Sequence, residues 1–275
     1  MKKSLNAWSV EKQLNFEETF RAVSEAGFDG IELNIDAPGA PHGLSMEFTQ
    51  TDYDRIRSLS EKYDLPVVSI STSLSAGMSG IPARHEDYRR LLLKQIEAAK
   101  ALGAGGILTS PGGMGGNITL AGARRNTIAF FKNHKQELED QGIFVGLENV
   151  WNGFFLSPFD MVSLFEEVDS PVIGAYFDAG NMIAFSVSEY WVEVLGKWIG
   201  YVHVKDFLRN KGLNSGGVWK DLTHGSADWH AIIPALRKAG FDGYLTGEVF
   251  KSDPDMSYAA YYQKVASEIG EIITY

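Results

Sequence analysis

A chain of 275 residues with 44% hydrophobic and 22% charged side chains can bury a sizeable core, and no part of it has the polarity of a disordered tail. Its 25 basic residues against 35 acids give a net charge of −10, the wrong sign for a protein whose main partner is a nucleic acid. With no cysteine, disulfides, zinc–thiolate sites and thiol nucleophiles are excluded, so any metal chemistry must use carboxylates and imidazole.

The opening stretch, Met1 to Phe16, holds only a short apolar run broken by Asn6, Glu11, Lys12 and Gln13. It reads as neither signal peptide nor membrane span, so a cytoplasmic protein without a membrane partner is expected. β-type runs then alternate with helical patterns: a strand at Lys3–Ser9, a helix at Phe16–Ala26, a strand at Gly30–Asn34 and a helix at Asp52–Tyr63. The strand Pro66–Thr72 leads through a long loop to a helix at His85–Leu102, where Tyr88, Leu91, Leu92, Gln95 and Ala99 share one face.

Gly106–Ser110 reads as a strand, Thr119–Asp140 as a helix and Ile143–Asn149 as a strand, after which Pro158 opens a helix to Val168. Val172–Asp178, Ser186–Gly196, Ile199–Lys205, Trp229–Ala239, Tyr244–Val249 and Asp255–Ile273 complete three more strand–helix pairs. The segments Ala26-Gly27-Phe28-Asp29-Gly30 and Ala239-Gly240-Phe241-Asp242-Gly243 both end a helix on glycine and turn into a strand. Eight units predict a closed (β/α)8 TIM barrel, a single domain over residues 1–275.

In such a barrel, polar residues that end apolar strands face the catalytic mouth. Glu148, Asp178, His203 and Glu248 each end or interrupt an apolar run, on strands five, six, seven and eight. Each alone is also explained by a hydrogen bond or by solvent. Together, three carboxylates and one imidazole make an oxygen-rich site suited to Mn²⁺, Mg²⁺ or Co²⁺, and without a cation the carboxylates would repel one another.

Four segments carry these residues: Gly146-Leu147-Glu148-Asn149-Val150-Trp151-Asn152, Tyr176-Phe177-Asp178-Ala179-Gly180-Asn181, Val202-His203-Val204-Lys205-Asp206 and Gly247-Glu248-Val249-Phe250. In this order and spacing the sequence resembles the sugar-phosphate isomerase/epimerase family with the xylose-isomerase-like barrel, which includes D-tagatose 3-epimerase and L-xylulose-5-phosphate 3-epimerase. The resemblance implies that Glu148, Asp178, His203 and Glu248 hold one divalent ion, manganese first, with Mg²⁺, Co²⁺ or Zn²⁺ as alternatives. It also implies that Glu148 and Glu248 act as two bases on opposite faces of a ketose or ketose phosphate, and that copies of the chain assemble into a homo-oligomer.

By the same resemblance Arg209 contacts substrate oxygens, and Asn181 occupies a substrate-contacting position in the form of the sugar-phosphate branch. Phe154 stands where the free-ketose epimerases carry a glutamate, a departure that counts against a free-ketose substrate. Trp8 and Trp151 are candidates for apolar walls of the mouth, with core packing as the other reading. Lys205 is a candidate substrate or ligand-orienting group, with a plain ion pair to Asp206 as the other. Glu32, ending strand two, serves as a hydrogen-bond acceptor behind the site or as one partner of an internal salt bridge.

The glycine-rich loop Ser110–Gly116 offers backbone NH groups to a phosphate but matches no nucleotide-binding fingerprint. The segment Leu208–Asp228 reads as a long loop that either closes over the mouth or lies in solvent. An aldose–ketose isomerase uses the same residues as an epimerase. An endonuclease IV-like phosphodiester hydrolase needs more histidine and less negative charge, and a non-catalytic sugar-binding barrel leaves the pair Glu148 and Glu248 unexplained.

Overall fold

Side-chain caps decide where the helices begin. Asn15 and Glu18 form a reciprocal capping box at the start of α1 (Phe16–Glu25), Thr49 and Asp52 do the same for α2 (Gln50–Lys62), and Ser157 and Asp160 for α5 (Pro158–Val168), where Pro158 fills the first helical position. Left-handed glycines close others: Gly103 ends α3 (His85–Leu102), and Gly27 and Gly240, at φ +85° and +87°, make the two matching turns expected from the sequence.

The computed structural model describes residues 1–37 and 39–275. The strands are β1 (Lys2–Asn6), β2 (Gly30–Asn34), β3 (Val67–Ser71), β4 (Gly106–Thr109), β5 (Phe144–Glu148), β6 (Ile173–Asp178), β7 (Ile199–Val204), β8 (Asp206–Arg209), β9 (Gly217–Lys220) and β10 (Tyr244–Gly247). The remaining helices are α4 (Leu120–Glu139), α6 (Ala179–Ile183), α7 (Ser188–Leu195), α8 (Trp229–Lys238) and α9 (Tyr258–Ile273). Eight parallel strands close into a barrel in the order β1-β10-β7-β6-β5-β4-β3-β2, the TIM-barrel arrangement expected from the sequence. No described helix is long and apolar enough to cross a membrane.

Strand alternation sorts the interior into two cores. Leu5, Ile31, Leu33 and Ile70 are fully buried and belong to the apolar shell formed with helix residues such as Phe20, Val23, Ile56 and Leu92. Their neighbours Ser4, Asn6, Glu32, Asn34, Ser69 and Ser71 are equally buried but polar. Gln95, the polar member of the apolar face of α3, donates to the carbonyls of Ile70 and Leu108 at 3.1 and 2.9 Å, so it ties the helix to two adjacent strand ends.

Three expectations need correction. The first strand stops at Asn6, because the Asn6 side chain accepts from Trp8 N and starts a single 3₁₀ turn at Ala7–Ser9. A short helix, α6, follows β6 directly, capped by Asp178. The segment after β7 is not a plain loop: β8 and β9 pair antiparallel as a hairpin, with Arg209 opposite Gly217.

Candidate active site and metal centre

Strand register brings the four acid and imidazole groups together. Asp178 on β6 is directly beside His203 on β7, His203 is beside Thr246 on β10, and Glu148 on β5 is level with Tyr176 on β6. One donor atom from each of Glu148, Asp178, His203 and Glu248 lies within 4.8 Å of the others, a set that could hold a metal ion. From His203 Nδ1 the nearest carboxylate oxygens of Glu148, Glu248 and Asp178 are 3.7, 3.7 and 3.9 Å away.

The histidine is aimed from behind. Its Nε2 lies 2.8 Å from Glu32 Oε1, and Glu32 is itself fully buried. Glu32 also accepts from Asn6 Nδ2, from Ser69 Oγ at 2.5 Å and from the Tyr176 hydroxyl. Burial alone would raise the Glu32 pKa, but the His203 charge and these hydrogen bonds hold it below the usual carboxylate range. A carboxylate on Nε2 fixes that nitrogen as the donor, so the neutral ring presents the lone pair of Nδ1 to the mouth. Both alternatives read for Glu32 from the sequence therefore meet in one contact with His203.

Two polar atoms in the cluster test whether a cation suits it. His203 Nδ1 and Asp178 Oδ2 are buried with no hydrogen-bond partner; the other such atoms, among them Ser4 Oγ, Tyr53 Oη and Glu268 Oε2, are scattered through the molecule, whereas these two share one cluster. Both face the other carboxylates, and a divalent ion bound by oxygen and one imidazole nitrogen would satisfy both at once. The local charge balance agrees. Burial opposes a charged His203, yet the negative charge of Glu32 and the nearby Glu148 and Glu248 raise its proton affinity well above the ordinary range. For Glu148, burial comes first and the charges of Glu248 and Asp178 add to it, lifting its pKa to about 7 against the opposing pull of His203.

Lys205 is the second cation-type side chain drawn in. Its Nζ lies 2.5 Å from Glu248 Oε2 and 2.7 Å from Asp178 Oδ2, the latter an ion pair without hydrogen-bond alignment. The expected pair with Asp206 does not form. Asp206 instead accepts from the backbone NH groups of Phe207, Gly225 and Ala227 and from Trp229 Nε1, and so anchors the return of the hairpin segment. Residues 203 and 205 are two apart on one extended run, so the period of the strand already directs both side chains the same way.

The other candidates spread round the rim. Asn181 Nδ2 is 3.5 Å from Glu148 Oε1 and donates to Asn149 O at 2.9 Å, while the Asn149 side chain bonds both the N and O of Asp178. Trp151 is half exposed and donates from Nε1 to Asn181 O at 2.5 Å. Arg209 reaches Ile183 O at 3.3 Å from the hairpin, with no bond to the four central groups. Trp8 is half-buried on the opposite side, its Nε1 at 3.1 and 3.2 Å from the two Asp36 oxygens. Phe154 is buried in the apolar core.

Sequence reasoning passed over Tyr176, Ser69 and Asn6, the groups that hold Glu32, and Trp219, which stacks on Trp151 at 5.2 Å between ring centres. Tyr176 had a legible signal, since it lies two residues before Asp178 on the same strand face. The glycines of Ser110–Gly116 have a backbone explanation: a Cβ on Gly113 would lie 2.1 Å from Gly77 O, and Gly80 N donates to Gly112 O at 2.6 Å. Two loops cross there at backbone distance.

Comparison with known proteins places the fold. The fructoselysine 3-epimerase of Shigella flexneri is 27% identical over 103 residues, and the match spans 36% of this chain and 36% of the length of that curated relative. The 3-keto-D-glucoside 4-epimerase of E. coli superposes over 100% of both chains with a TM-score of 0.78 at 18% identity. The IOLI protein, solved with a bound zinc atom, superposes over 100% of this chain and 98% of its own with a TM-score of 0.81 at 14% identity. The family described as xylose isomerase-like TIM barrel matches residues 20–267, nearly the whole circuit of strands and helices. The chain belongs to the xylose isomerase-like TIM barrel family.

Proposed function

We propose that residues 1–275 form one domain that acts as a divalent-metal-dependent epimerase of a ketose or ketose phosphate. The observation that carries this reading is the convergence of His203 Nδ1, buried without a hydrogen-bond partner, with carboxylate oxygens of Glu148, Asp178 and Glu248 inside 4.8 Å. A divalent ion there, Mn²⁺ by preference with Mg²⁺, Co²⁺ or Zn²⁺ as alternatives, would polarise neighbouring sugar oxygens and make the C–H bond between them acidic. Glu148, Asp178, His203 and Glu248 are the ligands in this reading. The names of the relatives, a 3-epimerase and a 4-epimerase, support inversion at a sugar carbon.

Glu148 and Glu248 supply the proton chemistry. One carboxylate removes the proton and the other returns one to the opposite face, so the centre inverts. Burial and neighbouring charge lift Glu148 toward neutrality, where a carboxyl both accepts and donates readily. Asn181 steadies Glu148, Lys205 balances Asp178 and Glu248, and Arg209, Trp8 and Trp151 contact the rest of the sugar in the mouth. The protein works in the cytoplasm.

The test is NMR in deuterated buffer, with Mn²⁺ and a panel of ketoses and ketose phosphates. Deuterium exchange at C3 with a new epimer, abolished by chelator, is the expected result. Exchange at C1 with an aldose product would replace the epimerase by an isomerase. Identical thermal melting with and without chelator would remove the metal from the reading altogether.

A further inference from the structure

Beside the catalytic mouth lies a cavity of 680 Å³ whose lining includes Trp151, Phe155, Phe185, Phe207, Asn214 and Trp219. Among the described residues none that lines it carries a charge, in a protein where 22% of residues do. Trp151 and Trp219 are stacked with ring centres 5.2 Å apart, and Phe207 meets both edge-on at 5.6 and 5.2 Å. Trp151 is 51% exposed and Trp219 40%, although Trp219 also carries the Lys205 ammonium 5.4 Å from its ring centre. An exposed apolar surface of this kind is unfavourable unless something covers it.

The cavity joins the reaction site through named groups. Trp219 also lines a smaller space of 220 Å³ with Glu248 and Lys205, so one ring is the shared wall of both. On the other side, Trp151 is hydrogen-bonded to Asn181, which is in turn 3.5 Å from Glu148. The larger space falls in the ~300–1,000 Å³ range of sites that take drug-sized ligands, and the smaller one below it. A sugar held at Glu248 and Lys205 would direct whatever it carries past Trp219 into the larger space.

We propose that this cavity is a substrate subsite for an uncharged ring joined to the reacting sugar, so that the substrate is a neutral sugar conjugate and not a sugar phosphate. The inference rests on the sugar-epimerase reading of the neighbouring site and narrows its substrate class. Aromatic faces bind the apolar face of a second ring, either an aryl group or another sugar, and they offer nothing to a dianion. Lysines border the smaller space, but two are already engaged: Lys205 on Glu248 and Asp178, and Lys251 on the carbonyls of Asp253, Pro254 and Met256.

The experiment is calorimetric binding to the Mn²⁺-supplemented protein, which requires no turnover. The probes are phenyl, methyl and glucosyl glycosides of D-glucose, D-galactose and D-fructose, with the matching sugar phosphates. In at least one sugar series the phenyl or the glucosyl member should bind about tenfold tighter than the methyl member, and which of the two wins identifies the ring as aryl or sugar. Trp151→Ala and Trp219→Ala should each remove that advantage, while Trp219→Phe should keep most of it. Both indoles are largely exposed, and an unchanged melting temperature will show that the variants fold. The proposal is overturned if no ring-bearing probe outbinds its methyl partner, if a phosphate binds tightest, or if the advantage survives in both alanine variants. A ring preference without any proton exchange would sink the epimerase reading and leave the subsite standing, whereas exchange confined to sugar phosphates would do the reverse.

Discussion

The two halves of the barrel interior below the mouth use different chemistry. The half built from β5, β6, β7 and β10 presents Glu148, Asp178, His203 and, just past β10, Glu248. The half built from β1, β2 and β3 presents Asn6, Asn34, Ser69 and Ser71, all neutral, around a single buried carboxylate, Glu32. Asn34 Nδ2 donates to Ser71 Oγ at 2.5 Å, and Asn6 spans to both Glu32 and Ser71. In the first half carboxylates face one another around the unpaired His203 Nδ1, and in the second the polar side chains bond one another. On the proposed function, reactivity is kept where groups are unsatisfied, and aim where they are satisfied.

The widest contrast should come from Glu248→Gln. The amide keeps the shape but cannot act as a base, so proton exchange into substrate should fall about a hundred- to ten-thousand-fold with the fold intact. Near-normal exchange by NMR would show that the charged half does not hold two bases. Across the barrel, Glu32→Gln leaves every proposed ligand in place yet loosens the His203 ring. Metal affinity measured by titration calorimetry should drop about 10- to 100-fold, and activity should return at higher metal concentration. A loss that no amount of metal restores would make Glu32 part of the chemistry itself.

A pH series sharpens the contrast from the charged side. With its pKa raised to about 7, Glu148 holds a proton in the metal-free fold that it would lose in the unfolded chain above the ordinary carboxylate value of 4.5. Its contribution to metal-free stability is therefore full below about 4.5 and is lost as pH rises through about 7. Metal must displace that proton as well as any on His203 Nδ1, so affinity should weaken by at least about tenfold per pH unit below 7, and Glu148→Gln should make the slope shallower. A parent profile already flat from pH 5 to about 7 would contradict the assignment. The smallest effect on chemistry belongs to the neutral half. Ser71→Ala removes an acceptor shared by two buried amides and should cost about 1–3 kcal/mol in thermal unfolding, with exchange rates changed less than about twofold.

The sequence made the charged half far easier to read than the neutral one, for a physical reason. A carboxylate at the end of an apolar run is a local anomaly, visible in five or six residues, and closure of the barrel then brings such anomalies together. The Glu32 to His203 contact spans 171 residues, and the Tyr176 hydroxyl reaches Glu32 across 144. Nothing local distinguishes a buried Ser69 that holds a carboxylate from one that fills space. The hairpin β8–β9 was hidden for another reason: each short strand carries two adjacent apolar residues, Phe207-Leu208 and Val218-Trp219, so no apolar alternation shows, and pairing with each other decides their form. Lys205 was visible as a site residue, but its partners could not be read until β6 and β10 flanked β7.

Gly146 shows how far the consequences of that aim extend. A methyl group at this position of β5 would lie 2.8 Å from Tyr176 Cβ, and Tyr176 is the side chain that delivers its hydroxyl to Glu32. Gly106 on β4 likewise leaves room for the Tyr201 ring, which stacks on Tyr176 at 5.2 Å. On the proposed function, the indoles and the hairpin at the rim are open to randomisation toward a new sugar. The interior glycines are not: a single extra carbon there turns the tyrosine, frees the carboxylate behind the histidine, and silences a library whose rim was never at fault.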